Sequence, residues 1–296
     1  MIEQTGKSRS ARFGDQFLPL VLLGPLLILF GLTCSYMIVS SFLTSELFQP
    51  ARWAGWQNYA DVLSSPRFWR DLWFGLVWAF VTVIMQTVVG FALALLLNEA
   101  FIGRNFARAV IFMPYLLMVP VTALLFLLLF GSTFGIVAIW LRDLGFNAYW
   151  YGADLAPVTL TMSAVWQYAP FSMLILLAGL QSIPAHLYEA AKVDGANVFQ
   201  RFYHVTLPGM RDALFVAVVL RMIFMFNKFD LPWLVTAGGP VGKTENVAVY
   251  AYREAFENFN LGTSSAAGSI MLLVVSVLIF IHFKLYSHTK KGVAHD

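Results

Sequence analysis

Charged side chains are scarce: lysine, arginine, aspartate and glutamate make up 12% of the 296 residues, against about 25% in an ordinary soluble domain. So few charges cannot cover a soluble core. The net charge is +3 and no basic run with interleaved aromatics occurs, which argues against a nucleic-acid surface. Cysteine is nearly absent as well. Cys34 stands alone, so no internal disulfide can form and the redox compartment is left open. No two histidines have metal-ligand spacing on a helix, although His186 and His204 flank one loop. Signatures of a nucleophile elbow or a zinc protease are also missing.

What the chain has instead is apolar length. Hydrophobic residues make up 59% of the sequence, and the mean hydropathy is +0.72. They fall into runs that approach or exceed the ~20 residues a helix needs to cross a bilayer. The runs are Phe17–Leu43, Leu72–Leu97, Ala109–Phe130, Leu155–Leu180, Ala213–Ala237 and Gly262–Phe283. A membrane barrel would show short alternating segments, so the reading is an all-α integral membrane protein with six transmembrane helices. The first run carries no charge and exceeds a signal peptide's apolar core, which makes it a retained span. The expected organisation is a tail over 1–16, a membrane domain over 17–286 with a loop at 182–212, and a tail over 287–296.

Six spans place both termini on one side, and lysine and arginine choose the side. With cytoplasmic termini the inner set is Lys7, Arg9, Arg12, Arg104, Arg108, Lys192, Arg201, Arg211, Lys284, Lys290 and Lys291. The outer set is Arg52, Arg67, Arg70, Arg142, Lys243 and Arg253. Eleven against six favours termini inside. The aromatics of the outer loops, Trp53, Trp56, Tyr59, Trp140, Tyr149 and Trp150, then read as interfacial anchors.

The stretch TAGGPVGKTENV, Thr236–Val247, fits a loose phosphate-loop pattern through Ala237, Gly242, Lys243 and Thr244. A working phosphate loop needs a parallel sheet behind it, and no sheet fits in the soluble remainder. Its expected position on the outer face is also wrong for ATP. A glycine and proline turn is the better reading.

The longest inner loop has the composition of a helical hairpin. Pro184 suits a first helical position, Ala185–Lys192 are mostly good helix formers, and Gly195 is a natural stop. Asn197 can cap a second helix that Leu207 and Pro208 would end. Leu187, Ala190 and Ala191 share one face of the first limb, and Val198, Phe199, Phe202 and Val205 one face of the second. Such stripes in a polar loop want a surface to cover them, either their own bundle or a partner.

The spacing Glu189-Ala190-Ala191, Gly195, then Val205-Thr206-Leu207-Pro208 resembles the EAA loop of binding-protein-dependent ABC importer permeases. Its one departure is Val205 in place of the usual isoleucine. Further segments resemble the sugar-type group related to the maltose and glycerol-phosphate systems. They include Met113-Pro114-Tyr115, Phe134-Gly135-Ile136, Ala178–Pro184, Phe229-Asp230, Thr236–Pro240, Tyr252–Phe256, Gly262 and Ser265-Ala266. The resemblance covers nearly the whole chain after Asp15, and it explains Gly238-Gly239-Pro240 as a family turn.

That resemblance implies the type I ABC importer permease fold in a bacterial or archaeal cytoplasmic (inner) membrane. It implies a non-catalytic subunit that binds no cofactor, with ATP and Mg held by two partner ABC subunits. A second related permease and an extracytoplasmic solute-binding protein complete the expected assembly. In the family the EAA loop sits in a cleft of the ATPase. That assigns coupling to Glu189, Ala190, Ala191, Asp194, Gly195, Leu207 and Pro208, with Glu189 suited to pair a basic group and Gly195 to make the bend.

The solute path is expected where polar groups interrupt the spans. Those are Gln86, then Trp166, Gln167 and Tyr168 before Pro170, then Arg221, Asn227, Lys228 and Asp230 before Pro232. Arg221 and Lys228, seven apart, are expected on one face. An aromatic beside amides suits a sugar's apolar face and hydroxyl edges. The same groups could instead hold the bundle or the partner subunit together. The cargo reads as a carbohydrate or carbohydrate-like solute, with a polyol, glycerol phosphate or anionic sugar derivative as the alternative. An intramembrane enzyme is the competing class, but no paired catalytic groups occur at matching depth.

Overall fold

The computed structural model describes residues 9–44, 51–146 and 148–293. Residues 1–8 of the expected N-terminal tail, with Lys7, and 294–296 of the C-terminal tail lie outside the described residues. The described residues fall into two compact units, one within 1–64 with 253–269, the other within 65–252 with 270–296.

In the first unit, α1 (Arg9–Ser40) leads into a short antiparallel pair, β1 (Leu43–Thr44) and β2 (Arg52–Trp53), and then α2 (Gln57–Ser64). Asn58 fastens the turn, donating from Nδ2 to the carbonyls of Ser41 (2.8 Å) and Leu43 (2.9 Å). Phe42 packs against Trp53, Trp56 and Tyr59.

In the second unit, α3 (Pro66–Asn98) and α7 (Ala156–Ser182) form the main interface. They approach closely because Gly90 has no side chain: a Cβ there would lie 2.9 Å from the Met173 nitrogen and 3.0 Å from the Ala169 carbonyl. Small residues at such crossings are what helix packing in lipid requires. Ala94, Leu97, Met173, Leu176 and Leu180 continue the seam into a core shared with Met210 and Ala217. The remaining helices are α4 (Arg104–Leu116), α5 (Val119–Phe130), α6 (Ile136–Asp143), α8 (Ala185–Val193), α9 (Val198–Arg201), α10 (Leu207–Gly209), α11 (Arg211–Phe226), α12 (Asp230–Thr236), α13 (Val247–Phe256) and α14 (Leu261–Val293).

Among the described residues four helices are long and apolar enough to cross a membrane: Leu23–Ser40 of α1, α3, α7 and Leu261–Lys284 of α14. The expected third span is not one straight helix. It is the pair α4 and α5, bent by 96°, and counts as a fifth span if the pair is taken as one. The cause is Pro120, which cannot donate to the Leu116 carbonyl and whose ring collides with that turn. Leu117 and Met118 between the helices are extended, with ψ 140° and 143°.

The expected fifth span is also divided, into α11 of 16 residues and α12 of 7. Pro232 has no N–H for the Lys228 carbonyl. Asn246 supplies the missing donor, its Nδ2 lying 2.7 Å from that oxygen. Lys228 therefore lies beyond the end of α11, not seven residues along a continuous helix from Arg221.

Candidate solute path and coupling hairpin

The two breaks and the α3–α7 seam gather the intramembrane polar groups. Gln86 of α3 is fully buried. It donates to the Ala164 carbonyl (3.1 Å) and accepts from Arg221 Nε of α11 (2.8 Å). The Arg221 guanidinium stands 4.7 Å from the centre of the Tyr168 ring and 5.7 Å from that of Phe171. Lys228 reaches the same Tyr168 ring, with its Nζ at 4.8 Å, and pairs with Asp230 at 3.1 Å. Gln86, Tyr168, Arg221, Lys228 and Asp230 thus form one cluster. It lies around the break in the chain, where non-helical backbone is tolerated at membrane depth only inside protein or beside a watery cavity.

The other expected residues lie apart from it. Gln167 donates to the Leu117 carbonyl (3.0 Å) at the α4–α5 bend, and its Oε1 has no partner among the described residues. Trp166 turns to another face, edge-on to Phe126 and lining an apolar groove with Met162 and Val165. Asn227 is exposed and donates back to the Ile223 carbonyl (3.0 Å).

A second cluster escaped sequence reasoning. Asp71 and Glu245 are both buried, at 0% and 1% exposure. Arg67 bonds Glu245 at 2.5 Å, and Arg70 bonds Asp71 at 2.9 Å and lies 3.6 Å from Glu245. The spacing of Arg67 and Asp71 along α3 was visible in the sequence, but Glu245 lies 178 residues from Arg67. The turn carrying Glu245 is the loose phosphate-loop match. The element that runs into it is the helix α12, not a strand, and the space beside Gly242 is filled by the Arg70 guanidinium. Glu245→Gln should lower stability by about 3 kcal/mol, the low end for one-sided loss of a buried pair because both guanidinium groups keep some solvent. Thermal unfolding of the purified complex reads this out.

The loop after α7 folds as a capped hairpin. At the end of α8, Gly195 takes φ +75°, a conformation that suits glycine. Its N–H bonds the Lys192 carbonyl (3.1 Å), and the Ala196 N–H bonds that of Ala191 (2.9 Å). These are the two bonds of a Schellman stop, with Asp194 as the last half-helical residue. Asn197 then opens α9 with a capping box: its Oδ1 accepts from the Gln200 N–H (2.9 Å), and its own N–H donates to Gln200 Oε1 (2.8 Å).

Contrary to expectation, Pro208 does not end the second limb. A π-turn at Phe202–Thr206 absorbs its missing N–H, with the Leu207 N–H bonding the Phe202 carbonyl, and helical backbone continues through α10. Tyr188 and Thr206 hydroxyls join the limbs at 3.0 Å.

Phe202 packs against Phe91 of α3, with the ring centres 5.8 Å apart and the planes tilted by 36°, which docks the second limb. The expected four-residue stripe is therefore split: Phe202 and Val205 are half-buried, while Val198 and Phe199 stay exposed together with Val193 and Tyr203. Glu189, Ala190, Asp194, Gly195, Leu207 and Pro208 are exposed and Ala191 is half-buried. Asn197→Ala should cost about 1 kcal/mol locally. Faster amide exchange at Val198–Arg201, with the transmembrane helices unchanged, would show it.

Helices long and apolar enough to cross a membrane thus occur together with a capped hairpin whose Val193, Val198, Phe199 and Tyr203 are exposed. The chain belongs to the family described as the binding-protein-dependent transport system inner membrane component, matched over residues 86–291. It is 32% identical over 282 residues to the sulfoquinovosyl glycerol transport system permease of Agrobacterium fabrum, covering 92% of this chain and 91% of that one. It is 36% identical over 229 residues to the trehalose/maltose transport system permease of Thermococcus litoralis, covering 76% of each. The fold matches a bacterial ABC transporter involved in import of the acidic polysaccharide alginate, with TM-score 0.80 at 22% identity over 94% of this chain and 98% of that chain. The protein is thus a membrane-spanning ABC importer permease, a non-catalytic subunit.

Proposed function

We propose that the chain forms half of a translocation pore that carries a carbohydrate or carbohydrate-like solute into the cell by alternating access. A second, related permease supplies the other half. Two ATP-binding subunits, which hold ATP and Mg, drive the motion, and an extracytoplasmic solute-binding protein delivers the cargo. The membrane domain over 17–286 crosses six times, with the divided segment α11–α12 as the fifth crossing. Both termini and the loop at 182–212 face the cytoplasm, in keeping with the lysine and arginine bias.

The observation that carries this reading is the hairpin. Its bend is held by a Schellman stop followed directly by a capping box, while Val193, Val198, Phe199 and Tyr203 remain bare. A rigid element with an uncovered apolar tip is suited to seat in a cleft of the ATPase and transmit its closure. Glu189, Ala190, Ala191, Asp194, Gly195, Leu207 and Pro208 form the contact. Phe202 on Phe91 passes the motion to α3.

On the solute side, Gln86, Tyr168, Arg221, Lys228 and Asp230 line the path, with Gln167, Trp166 and Asn227 contributing at other registers. The relatives named for sulfoquinovosyl glycerol and for trehalose and maltose support a carbohydrate cargo. Reconstitution tests the proposal. Vesicles with both permeases, the ATPase and the binding protein should accumulate solute only with ATP. Uptake that persists without the ATPase would overturn it.

A further inference from the structure

The two charge clusters of the second unit differ in balance. Arg67 and Arg70 face two carboxylates, Asp71 and Glu245. Around Tyr168 stand two cations, Arg221 and Lys228, but one carboxylate, Asp230, and it is taken by Lys228. Arg221 is 3% exposed and has no carboxylate partner among the described residues. Its Nε is bonded to the neutral Gln86, and one terminal guanidinium nitrogen, Nη2, has no partner. Aromatic faces offset part of the cost of burying the charge, but an unpaired buried cation is costlier than such contacts repay. The fold balances its other buried cluster two against two and leaves this one a negative charge short.

We infer that Arg221 receives the negative group of an anionic cargo: a sugar or polyol bearing a carboxylate, sulfonate or phosphate. This rests on the proposal that the cluster lies on the solute path. The way in is through the break between α11 and α12. There Asn227 is exposed, and the side chains of Lys228 and Asp230 are 20% and 41% exposed. An entering anion meets Lys228 first, exchanges with Asp230, and reaches the bare Nη2 across the Tyr168 ring. A planar guanidinium with a free N–H is suited to a carboxylate, sulfonate or phosphate, because it offers a directed, charge-assisted bond.

The test uses the purified complete importer, with glucuronate, glycerol 3-phosphate, glucose and glycerol as probes in thermal unfolding. At least one of the two anions should raise the midpoint of the wild type, and neither neutral probe should. Arg221→Gln should remove that rise while leaving the ligand-free complex at least as stable as the wild type, since a lone buried charge is gone. Arg221→Lys, which keeps the charge, should retain part of the rise. Uptake of the importer's own solute should fall at least about thirtyfold in Arg221→Gln.

Three results overturn the inference: no shift with either anion, a neutral solute as the transported species, or a ligand-free Arg221→Gln complex that is markedly less stable. The last would mean that a carboxylate of the partner permease pairs with Arg221. A shift from a neutral probe that Arg221→Gln abolishes would remove the anionic class and keep the cluster on the path. Anion shifts equal in wild type and variant would remove both.

Discussion

Gly195→Val should reduce solute uptake by about tenfold or more while the permease still inserts and assembles with its partners. The bend residue sits at φ +75°, and a Cβ there would meet nothing within 4 Å. The penalty is therefore conformational, not a clash: about 1–2 kcal/mol for a side chain in the left-handed region, and more for a β-branched one. The hairpin would populate other bends, and a motor that recognises only this one sees its effective partner diluted in proportion. Gly195→Asn is the matched control, since asparagine tolerates the left-handed region and should keep much of the uptake. Comparing uptake with the amount of assembled complex in the membrane separates loss of coupling from loss of protein. Normal uptake in the valine variant would remove Gly195 from the coupling assignment.

The second large effect is expected at Gly90, for the opposite reason. Its would-be Cβ meets the α7 backbone at 2.9 Å and 3.0 Å, and also Ser172 Cβ at 2.9 Å. Backbone cannot swing aside, so α3 and α7 must separate along their whole seam. Gly90→Ala should cost about 2 kcal/mol, in the usual range for overpacking, and Gly90→Leu should leave little monodisperse complex. Gly268→Ala is the contrast. There the neighbour is the flexible end of Met37, with Sδ at 3.1 Å, and the side chain can yield. Thermal midpoints and the yield of assembled complex measure both. Equal effects at the two glycines would contradict the close α3–α7 packing.

The apolar runs made the membrane helices legible, because bilayer thickness sets a length that few other constraints demand. The bend at Pro120 and the break before Pro232 were visible as prolines but not as structure. Whether a proline kinks, divides or merely marks a helix depends on who takes up the freed carbonyl. Here Asn246 donates to the Lys228 carbonyl that Pro232 leaves free, and Gln167 donates to the Leu117 carbonyl inside the Pro120 bend, each from a distance in sequence.

The polar residues of the candidate path could be named singly but not as a group. Trp166, Gln167 and Tyr168 are consecutive, and a helix turns successive residues to different faces. Only Tyr168 meets Arg221, while Trp166 faces the apolar groove beside Phe126. The Arg67, Arg70, Asp71 and Glu245 cluster was hidden by the same long-range closure. In the hairpin, Asn197 and Gly195 were readable because caps are local. The π-turn that carries the second limb through Pro208 was not, since composition alone does not say whether a proline ends a helix or is absorbed by one wider turn.

In the proposed assembly the capped hairpin faces the cytoplasm and is held there by the ATPase. The chain's one cysteine makes a direct measurement simple: in a Cys34→Ser background, Phe199→Cys places a single thiol on the exposed tip. A membrane-impermeant maleimide should label it in inside-out vesicles and not in right-side-out ones, and bound ATPase subunits should protect it. Labelling from the outer face, or equal labelling with and without the ATPase, would contradict a cytoplasmic hairpin seated in the ATPase.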